Sequence, residues 1–273
     1  MAVFCRARPC TAFFILTSTL GFCLAAQAEQ SSADLAKSLS NPVAALISVP
    51  FQYNYDQNIG PDDDGHRSTL NIQPVIPISI SEDWNMISRT IIPIISQTDV
   101  VPGAGSQSGT GDVVQSLFFS PKEPTASGWI WGVGPVFLLP TGSEDELTAD
   151  KWGAGPTGVL LRQQGPWTYG GLFNHIVDFA GDDDRSDISS TFIQPFMSYT
   201  TPSAVTFTLN SESTIDWEND DSAVPINAIV SKVVPIGGQL FSIGGGLRYW
   251  ADSTENGPEG LGVRLQITAL FPK

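Results

Sequence analysis

The chain has 273 residues and a formal net charge of −15, and its 3 cysteines are Cys5, Cys10 and Cys23. This acidic balance excludes nucleic-acid binding, which depends on Lys and Arg to neutralise phosphate charge. The absence of cysteine after residue 23 excludes a disulfide framework and thiol chemistry in the rest of the chain. The composition therefore suits an oxidising compartment and a fold stabilised without crosslinks.

Residues 1–28 have the pattern of a secretory signal peptide. Two arginines charge its start, an apolar core follows, and Ala26-Gln27-Ala28 forms an A-x-A cleavage site. We predict cleavage after Ala28, and loss of the two arginines takes the formal charge from −15 to about −17. A lipoprotein signal ending at Cys23 is the alternative, but Phe22 is larger than the small residue that such signals place before the cysteine.

After a short helical piece at residues 31–40, the chain has the pattern of strands only. The last strand shows it clearly, because Val263, Leu265 and Ile267 alternate with Arg264 and Gln266. Twelve such stretches can be assigned, and ten or fourteen also fit, because strand boundaries are uncertain in a sequence. Their approximate ranges are 45–56, 67–80, 84–97, 112–120, 129–140, 151–163, 167–179, 188–199, 204–217, 224–234, 240–251 and 261–273.

The connections between these strands differ systematically. Counted from the first strand, the even-numbered connections are short, whereas the odd-numbered ones are mostly longer and hold about 18 of the 28 Asp and Glu residues. Short turns at one end and long polar loops at the other are typical of an outer-membrane barrel. A β-sandwich has no reason to sort its acids in this way. The sequence therefore predicts an all-β fold, a closed antiparallel transmembrane β-barrel of about twelve strands.

Aromatic residues concentrate near the predicted strand ends, where the interfacial girdles of a membrane barrel lie. Strands favour aromatic residues in any case, so this distribution supports the barrel without deciding the fold. The residues concerned are Tyr53, Tyr55, Trp84, Trp152, Trp167, Tyr199, Trp217, Tyr249, Trp250 and Phe271.

The barrel class implies a location and partners. We assign residues 29–44 to a periplasmic N-terminal segment and residues 45–273 to a barrel in the outer membrane of a Gram-negative bacterium, with both termini periplasmic. The expected partners are outer-membrane lipid and lipopolysaccharide, the barrel-insertion machinery acting through the C-terminal strand, and a small-molecule solute.

Polar residues on the inward side of the strands form the candidate functional surface. They would line an open pore or fill a narrow lumen, and the sequence leaves both alternatives open. Three of them are arginines, and a charge facing lipid at mid-depth costs about 2–4 kcal/mol. We therefore expect the arginines to point inward and to meet acids such as Asp178, Glu212 and Asp216. The lumen-lining candidates are Gln52, Asn54, Asn71, Gln73, Arg89, Asn174, Asn210, Glu212, Arg248, Arg264 and Gln266.

The sequence gives little support to catalysis or metal binding. Its only histidines are His66, predicted in a loop, and His175, predicted on the lipid side, and no G-x-S-x-G motif is present. The acidic runs at residues 62–64 and 182–184 suggest calcium ligands, but neither has the EF-hand spacing. Solvated acidic loops are the plainer explanation, so we predict no enzyme activity, no cofactor and no dedicated metal site.

Several segments resemble the outer-membrane family named for the MetA pathway of phenol degradation. The resemblance covers most of the chain after the signal peptide, and it implies a transporter barrel distantly similar to hydrocarbon and fatty-acid channels. It carries over no catalytic residue and no substrate. The matching segments are Leu35-Ala36-Lys37, Leu39-Ser40-Asn41-Pro42-Val43-Ala44, Phe51-Gln52, Asn54-Tyr55-Asp56, Asn71-Ile72-Gln73-Pro74, Arg89-Thr90 with Pro93, and Gln115 with Phe118-Phe119-Ser120-Pro121.

The main functional hypothesis is passive movement of small solutes, including apolar or aromatic ones, through the lumen. A structural or surface-interaction barrel with a plugged lumen is the alternative from another class. An outer-membrane lipid hydrolase is less favoured, because Asn174-His175 is its nearest candidate and no serine neighbours this pair.

Overall fold

The computed structural model describes residues 31–272. The predicted signal peptide, residues 1–28, lies outside them, and its cleavage after Ala28 stays a prediction. Among the described residues, no helix combines the length and the hydropathy needed to cross a membrane.

One α-helix, α1 (Ser32–Leu39), precedes the strands, where the sequence predicted a helical piece. Ser31 caps its N-terminus with extended backbone, and the Ser31 hydroxyl accepts a hydrogen bond from the Asp34 N–H at 3.1 Å. The Ser40 N–H donates to carbonyls of the last turn, and Pro42 follows two residues later. The helix is therefore short because both of its ends are set by local sequence.

Fifteen strand segments follow the helix, and all of them pair antiparallel. Three of the barrel strands are each divided by a local break into two segments, namely β2 and β3, β5 and β6, and β11 and β12. The fifteen segments therefore form a barrel of twelve strands. The segments are β1 (Ile47–Ile59), β2 (Gly65–Ile72), β3 (Val75–Ser79), β4 (Trp84–Thr98), β5 (Ser106–Thr110), β6 (Val113–Pro121), β7 (Trp129–Leu139), β8 (Lys151–Gln164), β9 (Trp167–Gly181), β10 (Ser189–Thr200), β11 (Val205–Ser211), β12 (Ser213–Asp216), β13 (Asp221–Ile236), β14 (Gln239–Asp252) and β15 (Gly260–Phe271).

The sheet closes because the last strand pairs with the first. The pairing of β15 with β1 runs from Phe271 opposite Ile47 to Val263 opposite Tyr55. Closure satisfies the backbone groups that an open edge would expose to hydrocarbon. The predicted closed antiparallel barrel of twelve strands is confirmed.

The outer face of the barrel is apolar, as lipid contact requires. On β15, Leu265 is 54 % exposed on this face, whereas the neighbouring Arg264 points inward and is 1 % exposed. Aromatic rings lie at both ends of the strands: Trp167 packs against Tyr199 at the end of the short turns, with ring centroids 4.9 Å apart, and Trp217 is exposed at the end of the long loops. The alternation predicted for the last strand thus separates lipid-facing from lumen-facing side chains.

The prediction that Trp250 belongs to the aromatic girdle is wrong. Its side chain faces the lumen, where Nε1 donates to Asp56 Oδ1 at 2.9 Å. The ring also lies under the Arg248 guanidinium, 4.4 Å from its carbon atom to the ring centroid. Because Arg248 points inward, the two-residue period of β14 places Trp250 on the same side, and Tyr249 takes the outward position.

Residues 31–46, which we call the plug, lie inside the barrel at the end of the short turns. Leu35 and Ala36 of α1 are buried in an apolar cluster that includes Val233 of β13 and Leu270 of β15. Farther along the plug, Val43 enters a second apolar cluster with the inward side chains Ile87, Phe118, Val159, Leu161 and Leu172. Full burial of one such aliphatic side chain contributes about 1.5–3 kcal/mol. The plug therefore occupies the lumen through apolar packing.

Candidate functional site

The polar side chains of the lumen surround two cavities. The plug cavity, of about 220 Å³, lies beside residues 36–46, and the loop cavity, of about 330 Å³, lies toward the long loops. Of the predicted lumen-lining residues, the plug cavity is lined by Gln52, Gln73, Arg89, Asn210, Glu212, Arg264 and Gln266. The loop cavity is lined by Asn54, Asn71, Glu212 and Arg248. Asn174, on β9 opposite Phe192 of β10, lines neither cavity.

Glu212 lines both cavities, because it lies where the lumen is crossed by an ion pair. Arg264 on β15 donates from Nη1 to Glu212 Oε1 at 2.8 Å and from Nη2 to Oε2 at 2.6 Å. The Arg264 Nε–H donates to Asn54 Oδ1 on β1 at 2.7 Å. This bidentate geometry is the strongest that Arg and a carboxylate form. The pair ties two sides of the barrel together between the cavities.

A break in the strand positions the Glu212 carboxylate. Glu212 lies between β11 and β12, and its N–H donates to the Pro225 carbonyl at 3.3 Å. The Ser211 hydroxyl donates to the same carbonyl at 2.8 Å. The irregular residue interrupts the ladder locally, in the way that bulges redirect side chains in barrels.

Arg248 forms a second inward group with Asp56 on β1. The Arg248 Nε atom lies 3.7 Å from Asp56 Oδ1 and has no hydrogen-bond partner among the described residues. Trp250 contacts both partners, as described above. Asp56 shares the inward phase of Gln52 and Asn54, so the two-residue period could have identified it as a site residue.

Arg89, on β4, has a different environment from the other two predicted arginines. Its Nη2 donates to Gln73 Oε1 at 3.2 Å. No carboxylate of the described residues lies within 4.0 Å of its guanidinium nitrogens. The plug cavity therefore contains a guanidinium that no protein acid neutralises by direct contact.

Two of the three expected acids bind elsewhere. Asp178 lies 3.5 Å from Lys151 Nζ, so it pairs with a lysine at the rim of the barrel. Asp216 accepts hydrogen bonds from the Glu218 and Asn219 N–H groups and stabilises the turn after β12. Only Glu212 meets a predicted arginine, because the breaks and registers that bring strands together across the lumen are not encoded by alternation.

The lumen also holds a polar chain that the sequence did not identify. The Arg67 Nε–H donates to Gln97 Oε1 at 2.8 Å, and Gln97 Nε2 donates to Gln107 Oε1 at 3.1 Å. Arg67 shares the inward phase of Asn71 and Gln73, so its role could have been found from the period. The contact with Gln107 could not, because the loop before β5 sets it.

Neither histidine joins a catalytic group with a carboxylate. His66 lies in β2 rather than in the predicted loop, and its ring centroid is 6.1 Å from that of Tyr55. On the outer face, His175 Nδ1 lies 2.9 Å from Thr191 Oγ1, and Trp217 Nε1 donates to the same hydroxyl at 2.8 Å. Among the described residues, no group of three or more His, Cys, Asp and Glu side chains is arranged to hold a metal ion.

Charge pairs secure the rim at the end of the long loops. Lys151 Nζ lies 3.1 Å from Asp187 Oδ1, which links β8 to the loop after β9. In that loop, Arg185 Nη2 donates to Asp150 Oδ2 at 2.9 Å, and this hydrogen bond raises the pKa of the Arg185 guanidinium. The loop after β9 is therefore held to the rim by these two charge pairs.

A closed twelve-stranded antiparallel barrel, with an apolar outer face, short turns at one end and acidic loops at the other, has the architecture of the outer-membrane β-barrels. Comparison with solved structures agrees. The COG4313 outer-membrane channel from Pseudomonas putida F1 superposes with a TM-score of 0.64 at 12% identity, over 83% of this chain and 96% of that chain. At this identity the likeness shows the fold alone.

More distant likenesses include the NanC porin, with a TM-score of 0.49 at 11% identity over 83% of this chain and 100% of that chain. The outer-membrane phospholipase of Salmonella typhi has a TM-score of 0.47 at 8% identity over 89% of this chain and 99% of that chain. No protein-family model matches the chain, and no curated protein matches it.

Proposed function

We propose that this protein is an outer-membrane channel for small solutes, without catalytic activity, which is closed when the plug is docked. The barrel architecture and its likeness to a solved outer-membrane channel support the location and the class. The resemblance to the MetA-pathway family, and with it the passage of apolar or aromatic solutes, belongs to this proposal. So do the contacts with lipopolysaccharide and the insertion machinery. The assignment of residues 29–44 as a periplasmic segment also belongs to the proposal, and for residues 31–44 it applies when the plug has left the lumen.

The way in which the plug is held carries the proposal. Within residues 31–46, the backbone hydrogen bonds outside the helix are local, such as that from the Ala44 N–H to the Asn41 carbonyl. One hydrogen bond reaches the barrel wall, from Gln163 Nε2 to the Lys37 carbonyl at 2.9 Å. The plug can therefore leave its site by giving up apolar contacts and one hydrogen bond, while the barrel keeps every ladder bond.

Planar-bilayer conductance of the purified full-length protein tests this proposal. Leu35 is 1 % exposed inside the lumen, so Leu35→Asp places a charge in an apolar cluster and disfavours docking. We expect a several-fold higher conductance than in the unmodified protein. Asp34→Asn changes the charge of an exposed residue of the same helix and keeps an acceptor for the Ser31 hydroxyl, so it serves as the matched control.

A disulfide crosslink between the plug and the barrel wall should have the opposite effect, because it keeps the plug docked. A Cβ atom added at Gly132 of β7 would lie 3.2 Å from Val43 Cγ1, so V43C/G132C places two cysteines near disulfide distance. The chain has no other cysteine after residue 23. In the oxidised variant the disulfide keeps the plug docked, so we expect a conductance below that of the unmodified protein. Reduction of the disulfide is expected to raise the conductance to that of the unmodified protein. Equal conductance in the oxidised and reduced states would show that the plug is not the gate.

The plugged lumen also favours a second candidate, a structural or surface-interaction barrel that conducts nothing. The ion pair between Arg264 and Glu212 and the buried plug both fill the interior. The same experiment separates the two functions. A folded Leu35→Asp variant that shows no conductance in the planar bilayer would favour the structural role.

A further inference from the structure

The plug cavity has one more positive than negative charge, in a protein whose net charge is −15. Its charged lining residues are Arg89, Arg264 and Glu212. Glu212 is held on both oxygens by Arg264, so these two neutralise each other. The loop cavity, in contrast, has two acids and two arginines among its lining residues. The excess positive charge of the plug cavity therefore belongs to Arg89.

Arg89 is available for a ligand. One of its N–H groups donates to Gln73, whereas a guanidinium has five donors. An enclosed cation without an acid partner is costly, and an anion that bonds to it removes that cost. The fork of the guanidinium matches a carboxylate, which can accept two parallel hydrogen bonds.

The rest of the lining is divided between polar and apolar groups. The amides of Gln52, Gln73, Gln194 and Gln266 line the cavity and supply further hydrogen-bonding groups. Leu39 of the plug and Phe196 of β10 line the same cavity with apolar surface. Ligand sites commonly combine such apolar walls with a few convergent polar groups. A volume of about 220 Å³ is below the roughly 300–1,000 Å³ of sites for drug-sized ligands.

We propose that the plug cavity is a binding site for a small monocarboxylate with an apolar body. Its carboxylate bonds to Arg89 and Gln73, and its body packs on Leu39 and Phe196. This inference rests on the proposed function, because it names the class of solute that the channel takes. A neutral molecule of the same shape leaves the Arg89 charge unpaired and binds more weakly.

The test measures binding of benzoate to the full-length protein in detergent by titration calorimetry, with benzyl alcohol as the neutral analogue. We expect benzoate to bind at least tenfold more tightly than benzyl alcohol. Arg89→Gln is expected to weaken benzoate binding at least tenfold without changing that of benzyl alcohol, and Arg89→Lys is expected to lose less. Arg162→Gln, which changes an arginine outside both cavities, serves as the control.

Equal binding of the two probes, or equal benzoate binding by Arg89→Gln and the unmodified protein, would overturn the inference. The comparison of probes on the unmodified protein decides the matter even if Arg89→Gln does not fold. Swelling in a neutral sugar of proteoliposomes that contain Leu35→Asp, in which docking of the plug is disfavoured, tests the channel separately. Swelling of these vesicles without benzoate binding by the unmodified protein would overturn the site and support the channel. Arg89-dependent benzoate binding without swelling of the Leu35→Asp vesicles would support the site and overturn the channel.

Discussion

Arg264 and Glu212 are 52 residues apart in the sequence, yet two of the hydrogen bonds that cross the lumen join them, at 2.8 and 2.6 Å. Their strands are separated around the barrel by β13 and β14. The pair therefore works as a strut across the interior, and Asn54 on β1 extends it by one more hydrogen bond.

Loss of one partner of this strut should destabilise the barrel. Glu212→Gln leaves Arg264, which is 1 % exposed, without an anionic partner, and breaking a buried pair in this way costs about 3–5 kcal/mol. Urea unfolding of the refolded protein, followed by tryptophan fluorescence, measures the loss. The double variant Glu212→Gln/Arg264→Gln should lose less than the sum of the single variants. A loss no larger than that of Glu218→Gln, in an exposed turn, would contradict this expectation.

A charged side chain should destabilise the barrel much more at Leu265 than at the adjacent Gln266 of β15. Leu265→Lys places an ammonium group on the lipid face, where such a change costs about 2–4 kcal/mol near mid-depth. Gln266→Glu points into the plug cavity, whose charged lining residues carry one excess positive charge, and should cost much less. Unfolding in lipid vesicles compares the two variants. A larger loss for Gln266→Glu would mean that the strand has the opposite phase.

Gly134 is required where β7 passes β6. A Cβ atom added there would collide with the Leu117 carbonyl oxygen, whereas one added at Gly158 would meet its nearest atom at 3.7 Å. Gly134→Ala should therefore destabilise the barrel by about 1–3 kcal/mol, as overpacking does, and Gly158→Ala should be close to neutral. The heat-modifiable mobility of the folded barrel on gels reports both. Equal melting of the two variants would show that β6 and β7 can move apart freely.

The loop after β9 should loosen when Lys151 loses its charge. Lys151→Gln removes the ion pairs with Asp178 and Asp187, so the loop is held by fewer contacts. Trypsin should then cleave after Arg185 faster than in the unmodified protein, because proteolysis follows local opening. Lys122→Gln, at a short turn on the opposite end, is the control. An unchanged cleavage rate would assign the order of the loop to the contact between Arg185 and Asp150.

Alternation made the strands of this fold predictable, because a barrel strand in lipid must keep one face apolar along its whole length. The same rule predicts that Arg264 points inward. It also predicts an inward Trp250, because Trp250 lies two residues after the inward Arg248 on β14. In the sequence, residues 112–120 and 129–140 carry apolar side chains on both sides of the strand. The structure explains this, because inward Phe118 packs against Val43 of the plug.

The site depends on features that alternation does not contain. The apolar face of α1, with Leu35 and Leu39, suits packing inside a barrel as well as outside it. The break at Glu212 and the register that brings Arg264 to it arise from contacts between distant strands. Alternation therefore gives a phase for each strand, but it does not show which inward side chains meet across the lumen.

The plug and the barrel should unfold as two separate cooperative units with different free energies of opening. It joins the barrel covalently at one point, where Leu46 meets Ile47, and no β-ladder hydrogen bond includes it. Undocking is thus a local event, with a free energy set by the burial of Leu35, Val43 and their neighbours, while separation of β1 from β15 is a global one. In hydrogen exchange, the amide protons of α1 should be replaced long before those of the central strands, as two cooperative units that share one chain.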